Sequence, residues 1–155
     1  MGDTLKTIPQ LQAVWNTRLS VNTTPRAAAA TYAPLSAGIE NIEEALNEQT
    51  KQYFFLGSEG FACNEVNALA PTFTLQGRRV YGDAAQDYID SLKYQLAEAR
   101  KTSIRLDVTQ PSSATVSLTC PVTITAVTTL GGAASDNSPF SVTFALNGKP
   151  TLTTA

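Results

Sequence analysis

Val116-Ser117-Leu118-Thr119-Cys120-Pro121-Val122-Thr123-Ile124 decides the fold. Val116, Leu118, Cys120, Val122 and Ile124 occupy every second position, and most residues between them are Thr or Ser. Successive side chains of a strand point to opposite sides, so this spacing gives one apolar face and one hydroxyl face. Val127 breaks the alternation, which predicts a bulge near Ala126. Pro121 cannot donate to a ladder and predicts an edge or a bulge at its position.

The same period extends to both sides. Upstream, Ile104, Leu106 and Val108 alternate with Ser103, Arg105 and Asp107, and Pro111-Ser112-Ser113 reads as the turn between the two strands. Downstream, Leu130 to Pro139 is rich in Gly, Asp and Asn and reads as a hairpin loop. Phe140, Val142, Phe144 and Leu146 then form a final strand, closed by Asn147-Gly148-Lys149-Pro150. Earlier in the chain, Phe73 and Leu75 alternate with Thr72 and Thr74 in a strand directed toward Val80.

Between these strands the period changes. Ala85, Tyr88, Ile89, Leu92 and Leu96 form an apolar stripe, which predicts a helix from Ala84 to about Arg100. Asp83 suits the N-cap, and Gln86 makes a pair with it like a capping box. Asp87 and Asp90 near the start, with Arg100 and Lys101 at the end, complement the helix dipole.

The first half of the chain is less regular. Residues 1–10 read as an extended arm. Leu11, Val14, Trp15 and Leu19 give a short amphipathic segment, and Asn22 to Ala30 reads as a loop. In Gly38 to Gln49, Ile39, Ile42, Ala45 and Leu46 sit at helical spacing among good helix formers, so propensity predicts a helix. Tyr53-Phe54-Phe55-Leu56 is an aromatic run, Gly57 to Gly60 a turn, and Phe61 to Leu69 irregular. The expected fold is mainly β (α+β): an antiparallel β-sandwich or barrel flanked by one α-helix, in a single domain over 1–155.

Composition excludes several functions. Charged residues are only 15% of the chain, against roughly 25% in ordinary soluble domains. Thr, Ala and Ser fill the difference, as suits a β-rich protein whose surface is partly covered by partners. The net charge of −2 leaves no basic excess to bind nucleic acid through its phosphates. Glu40, Glu43, Glu44, Glu48, Glu59 and Glu65 face one nearby base, Lys51, and form either a solvated face or a deliberately negative surface. Cys63 and Cys120 make no disulfide framework and are expected as small buried or half-buried apolar residues. No signal peptide or membrane span is visible, so synthesis in the cytoplasm with reduced thiols and no membrane partner is expected.

The chain has no histidine, which removes Ser-His-Asp and Cys-His catalysis and most zinc sites. Asp87 and Asp90 are expected on a solvated helix face rather than in an acid-base cleft. No glycine loop has phosphate-binding spacing. No catalytic residue, cofactor or metal site is therefore expected. Arg78-Arg79 is either a solvated edge or one half of an ion pair with a neighbouring subunit's Glu.

Gly77-Arg78-Arg79-Val80-Tyr81-Gly82-Asp83-Ala84-Ala85-Gln86-Asp87-Tyr88-Ile89 resembles the major tail tube proteins of long non-contractile-tailed phages (siphophages) of Gram-positive bacteria, in the lambda-like tail tube group. Ser138 to Thr151, a final strand ending in Asn-Gly-Lys-Pro, resembles the same group. The resemblance implies a tail-tube-like sandwich with one helix. Hexameric rings would stack into a hollow tube in the virion tail, through which genomic DNA passes without specific binding. Its other partners would be the tape measure, tail tip and terminator proteins. The resemblance also places Gly38 to Gln49 in lumen-side strands, against the helical reading. A negative lining repels phosphate, which makes Glu40, Glu43, Glu44 and Glu48 the lumen candidates. The arm and the loop from Tyr53 to Leu69 are expected to order on neighbouring rings, with Tyr53, Phe54, Phe55 and Phe61 either as anchors or in the subunit's own core. The competing readings are a capsid decoration or head-tail connector protein, a carbohydrate-binding module and an enzyme.

Overall fold

The computed structural model describes residues 10–154, so the expected arm at 1–10 lies outside the described residues except for Gln10. Six strands precede the helix: β1 (Thr17–Asn22), β2 (Tyr32–Pro34), β3 (Ile39–Ala45), β4 (Gln49–Phe54), β5 (Ala62–Ala68) and β6 (Thr72–Arg78). The helix α1 (Ala84–Ser91) is followed by β7 (Lys101–Thr109), β8 (Thr115–Thr128), β9 (Pro139–Leu146) and β10 (Thr151–Thr154). The main sheet runs β2-β1-β7-β8-β9-β6-β3, with β10 also paired to β8. β4 and β5 form a separate two-stranded ribbon. All of these pairings are antiparallel.

The main sheet rolls on itself. Leu19 and Val21 of β1 share one buried cluster with Phe73 and Leu75 of β6, although these strands lie near opposite ends of the strand order. Ile104, Ile124, Phe140, Val142 and Phe144 fill the centre, and Ala85 and Ile89 of α1 cover one side. The result is the expected antiparallel sandwich with one flanking helix. β8 serves both layers: Val116 to Thr119 pair with β10, and Val122 to Thr128 pair with β9. Pro121 sits where the partner changes, and its carbonyl accepts from Asn147 N. The N and C=O of a strand residue point the same way, so the missing donor falls in the gap between β10 and β9.

Several expectations are corrected. Gly38 to Gln49 is not helical. Ile39 pairs with Gly77 and Ile42 with Leu75, so three residues of β3 oppose two of β6. This bulge at Glu40 puts both isoleucines toward the core at a spacing that imitates a helix. The bulge is tight: a Cβ on Gly77 would lie 2.0 Å from Gly38 O, and Gly38 itself has φ +74°.

The helix stops at Ser91, well short of Arg100. Leu96 is extended and Ala97 left-handed, with φ 53°. The Arg100 side chain holds the break by donating to the carbonyls of Lys93, Gln95 and Ile124. The Val14–Asn16 turn leads directly into β1 rather than into an amphipathic segment. Phe61 to Leu69 is mostly β5, and β10 follows the strand expected to be last. The phase break at Val127 does mark a bulge: register shifts between Thr125 and Thr128, with Ala126 at φ 52°.

Candidate assembly surfaces

The β4–β5 ribbon protrudes from the body with almost every residue exposed. A lone two-stranded ribbon is marginal in water. This one carries apolar side chains at its tip: Phe54, Phe55, Leu56 and Phe61 are 57–105% exposed. Tyr53 is half-buried and stacks on Phe55 at 5.8 Å between ring centroids. Contiguous exposed apolar surface of this kind marks an interaction site. Cys63 is also exposed on the ribbon, contrary to expectation, whereas Cys120 is buried and burial pushes its thiol pKa up.

β3 is the end strand of the main sheet, so one side of its backbone has no strand partner. Its glutamates do not form one surface. Glu43 lies opposite Thr74 and Glu44 opposite the core residue Phe73, so the two point to opposite faces. Glu40 sits in the bulge and pairs with Arg78 at 3.5 Å, with both side chains more than half exposed. Glu48 is exposed on the turn into β4.

The outward face of the β3-β6-β9-β8 layer is a hydroxyl carpet. Glu43, Thr74, Thr143 and Thr125 lie side by side in register. Thr74 and Thr143 share a hydrogen bond of 3.2 Å, and Thr125 Oγ1 donates to Thr143 O. The alternation of β8 had already marked one face as rich in Thr and Ser, although not as a site.

Arg79 is not available to a neighbour. Its side chain is 3% exposed and meets Asp87 at 2.8 Å and Asp90 at 3.7 Å within the chain. It also donates to Val80 O and stands 4.3 Å from the centre of the Tyr81 ring. Asp87 and Asp90 therefore hold Arg79 at the α1 junction, with Asp87 on the expected solvated face and Asp90 half-buried. Asp90 accepts from Thr129 Oγ1, which holds its carboxyl below the usual range, and Lys93 adds to this. Asp83 caps α1 by accepting from Gln86 N, but the box is not reciprocal. The buried Gln86 amide instead accepts from Val80 N and donates to Ala37 O and Arg78 O, tying the helix to the chain entering β3 and to the end of β6.

Among the described residues, no three His, Cys, Asp or Glu side chains converge on a metal-sized site, and no helix is long and apolar enough to cross a membrane. What the molecule offers is edges, a ribbon and faces.

No protein-family model and no curated protein matches this sequence. Its fold is shared with a chain of the tail of an empty gene transfer agent (GTA) particle, refined helically with C6 symmetry. The TM-score is 0.72 at 12% identity, covering 92% of this chain and 99% of that one. It is also similar to a chain of the tube-terminating cap of an anti-feeding prophage, with TM-score 0.61, 16% identity and coverage of 99% and 97%. A third likeness is to a chain of an extracellular contractile injection system sheath-tube complex, with TM-score 0.57, 14% identity and coverage of 94% and 93%. Each likeness extends over more than nine-tenths of both chains.

Proposed function

We propose that this chain is the tube subunit of a long non-contractile phage tail, a structural protein rather than an enzyme. Copies form six-membered rings, and the rings stack into a hollow tube that conducts DNA. The tape measure, tail tip and terminator proteins are its partners in the virion. The observation that carries this reading is the uncovered β4–β5 ribbon beside the open β3 edge, in a fold shared over 92% and 94% of the chain with chains of tail and tube assemblies. The C6 symmetry of the GTA tail supports six copies per ring. The sequence resemblance favours the non-contractile class.

In this reading Phe54, Phe55 and Phe61, braced by Tyr53, anchor the ribbon on the next ring. The hydroxyl carpet faces the lumen with Glu43 at its edge. Such a wall carries little positive charge, so phosphates passing it release few counterions and find no strong hold. Glu44 points to the other face, away from the hydroxyl carpet. Arg78 keeps an exposed guanidinium that a neighbouring carboxylate can reach.

Negative-stain imaging of the concentrated purified protein tests this directly. Long tubes of uniform bore are expected. Closed shells or isolated short rings would point instead to a decoration or connector protein.

A further inference from the structure

The ribbon joins the body through a neck of two short segments, 46–48 leaving β3 and 69–71 returning to β6. Among the described residues, no strand of the body pairs with β4 or β5, and no ribbon residue belongs to the buried core cluster. The direction in which the ribbon points is therefore set at the neck. Three backbone features meet there. Asn47 has φ 49°, in the left-handed region. Pro71 fixes its own φ on the return segment and biases Ala70 toward extended backbone. At the base of the ribbon, Gln49 pairs with Ala68 and Thr50 with Val66, so Asn67 is the extra residue of a bulge, which bends the strand.

Few bonds hold the two segments together. Ala70 N donates to Leu46 O at 3.1 Å, and Asn47 Nδ2 donates to Ala70 O at 2.9 Å. The same amide nitrogen lies 3.5 Å from Thr72 Oγ1, at the start of β6. Pro71 O accepts from Leu146 N, which fixes the return segment to β9. Asn47 thus clamps the outgoing segment to the anchored one. Leu46 and Leu69 are exposed, so burial adds little at the neck.

We propose that Asn47 is a positioning residue that aims the ribbon, holding it in the direction from which its aromatic tip meets a second copy. Two properties of asparagine are used at once. It tolerates left-handed backbone better than most residues with a side chain. Its amide also donates where a carbonyl waits. Gly or Asp would keep the backbone conformation, but neither has an N–H to give to Ala70 O. A ribbon swinging on a loose neck would lose that freedom on docking, and the lost entropy opposes assembly. A neck already held in the docking direction removes this opposition, so Asn47 acts through Phe54, Phe55 and Phe61 without touching the neighbour itself.

This role rests on the tube reading above, and the experiment separates the two. Cys63 is exposed on the ribbon and Cys120 is buried, so a thiol-reactive fluorophore on the folded subunit reports on the ribbon alone. In the unassembled subunit, Asn47→Ala is expected to lower the anisotropy of that fluorophore while the thermal unfolding of the body changes little. Without the label, the same substitution is expected to raise the concentration needed for tubes at least about tenfold, because it loses the clamp and the left-handed tolerance together. Asn47→Gly and Asn47→Asp lose the clamp alone, and a rise of about two- to fivefold is expected from each. Unchanged anisotropy with impaired tubes would make Asn47 a direct contact and overturn the positioning role. Lowered anisotropy with tubes at the usual concentration would overturn it too, leaving the tube reading intact. Absence of tubes from the unaltered protein would overturn the tube reading and the assembly role with it, while the anisotropy still decides whether Asn47 holds the neck.

Discussion

Phe144 on β9 and Phe55 just past the end of β4 meet opposite fates. Phe144 is 0% exposed at the centre of the sandwich, and Phe55 is 57% exposed where the ribbon turns. Along β6, β8 and β9 of the body, Phe73, Leu75, Val122, Ile124, Val142 and Phe144 are buried, and the threonines between them face outward. The ribbon has no inside. Apolar surface removed from water drives both folding and association, so the two regions divide the same driving force between them. The body uses it to fold, and the ribbon leaves it exposed, to be covered by another copy in the proposed tube.

Substitutions test that division, judged by their effect on subunit stability. The largest effect is expected from Phe144→Ala, which empties the core and should cost about 3–5 kcal/mol in denaturant unfolding. A loss below 1 kcal/mol would mean the body is far looser than its burial suggests. Gly77→Ala comes next. Its Cβ meets the Gly38 carbonyl at the β3–β6 bulge, and overpacking of this kind costs about 1–3 kcal/mol.

A smaller contribution comes from acid. Asp90 has a lower pKa folded than unfolded, so its stabilisation is complete above the usual carboxylate range and is lost as pH falls through the folded value. Unfolding profiles of the native chain and of Asp90→Asn should converge under acid and differ by less than about 1 kcal/mol near neutrality, given the group's partial exposure. The smallest effect is expected from Phe55→Ser with Phe61→Ser. Subunit stability should change by no more than about 0.5 kcal/mol while assembly disappears from sedimentation profiles. Equal losses of stability and assembly would erase the distinction between ribbon and body.

The period-two strands were readable in the sequence because burial on one side enforces alternation. The Ala126 bulge was readable because Val127 broke that alternation. The same device misled at β3. Its bulge converts strand spacing into the three-residue step between Ile39 and Ile42, and only the pairing with Gly77 and Leu75 separates the two cases. Leu96 extended the apparent helical stripe, yet it is exposed, because the carbonyls that would continue the helix are taken by Arg100 from outside the segment. Residues 61–69 looked irregular because a ribbon exposed on both faces has no reason to alternate. Arg79 could not be told from Arg78 without the fold, which brings two aspartates of α1 to one and leaves the other on the surface.

Pro121 has one further consequence. β10 and β9 abut end to end along the same flank of β8, joined by a short turn, and hydroxyl-rich segments of similar composition could slide along it. With no donor at position 121, neither strand can advance into the other's stretch without giving up a rung. The proline acts as a register stop, fixing where the chain's last turn must fall.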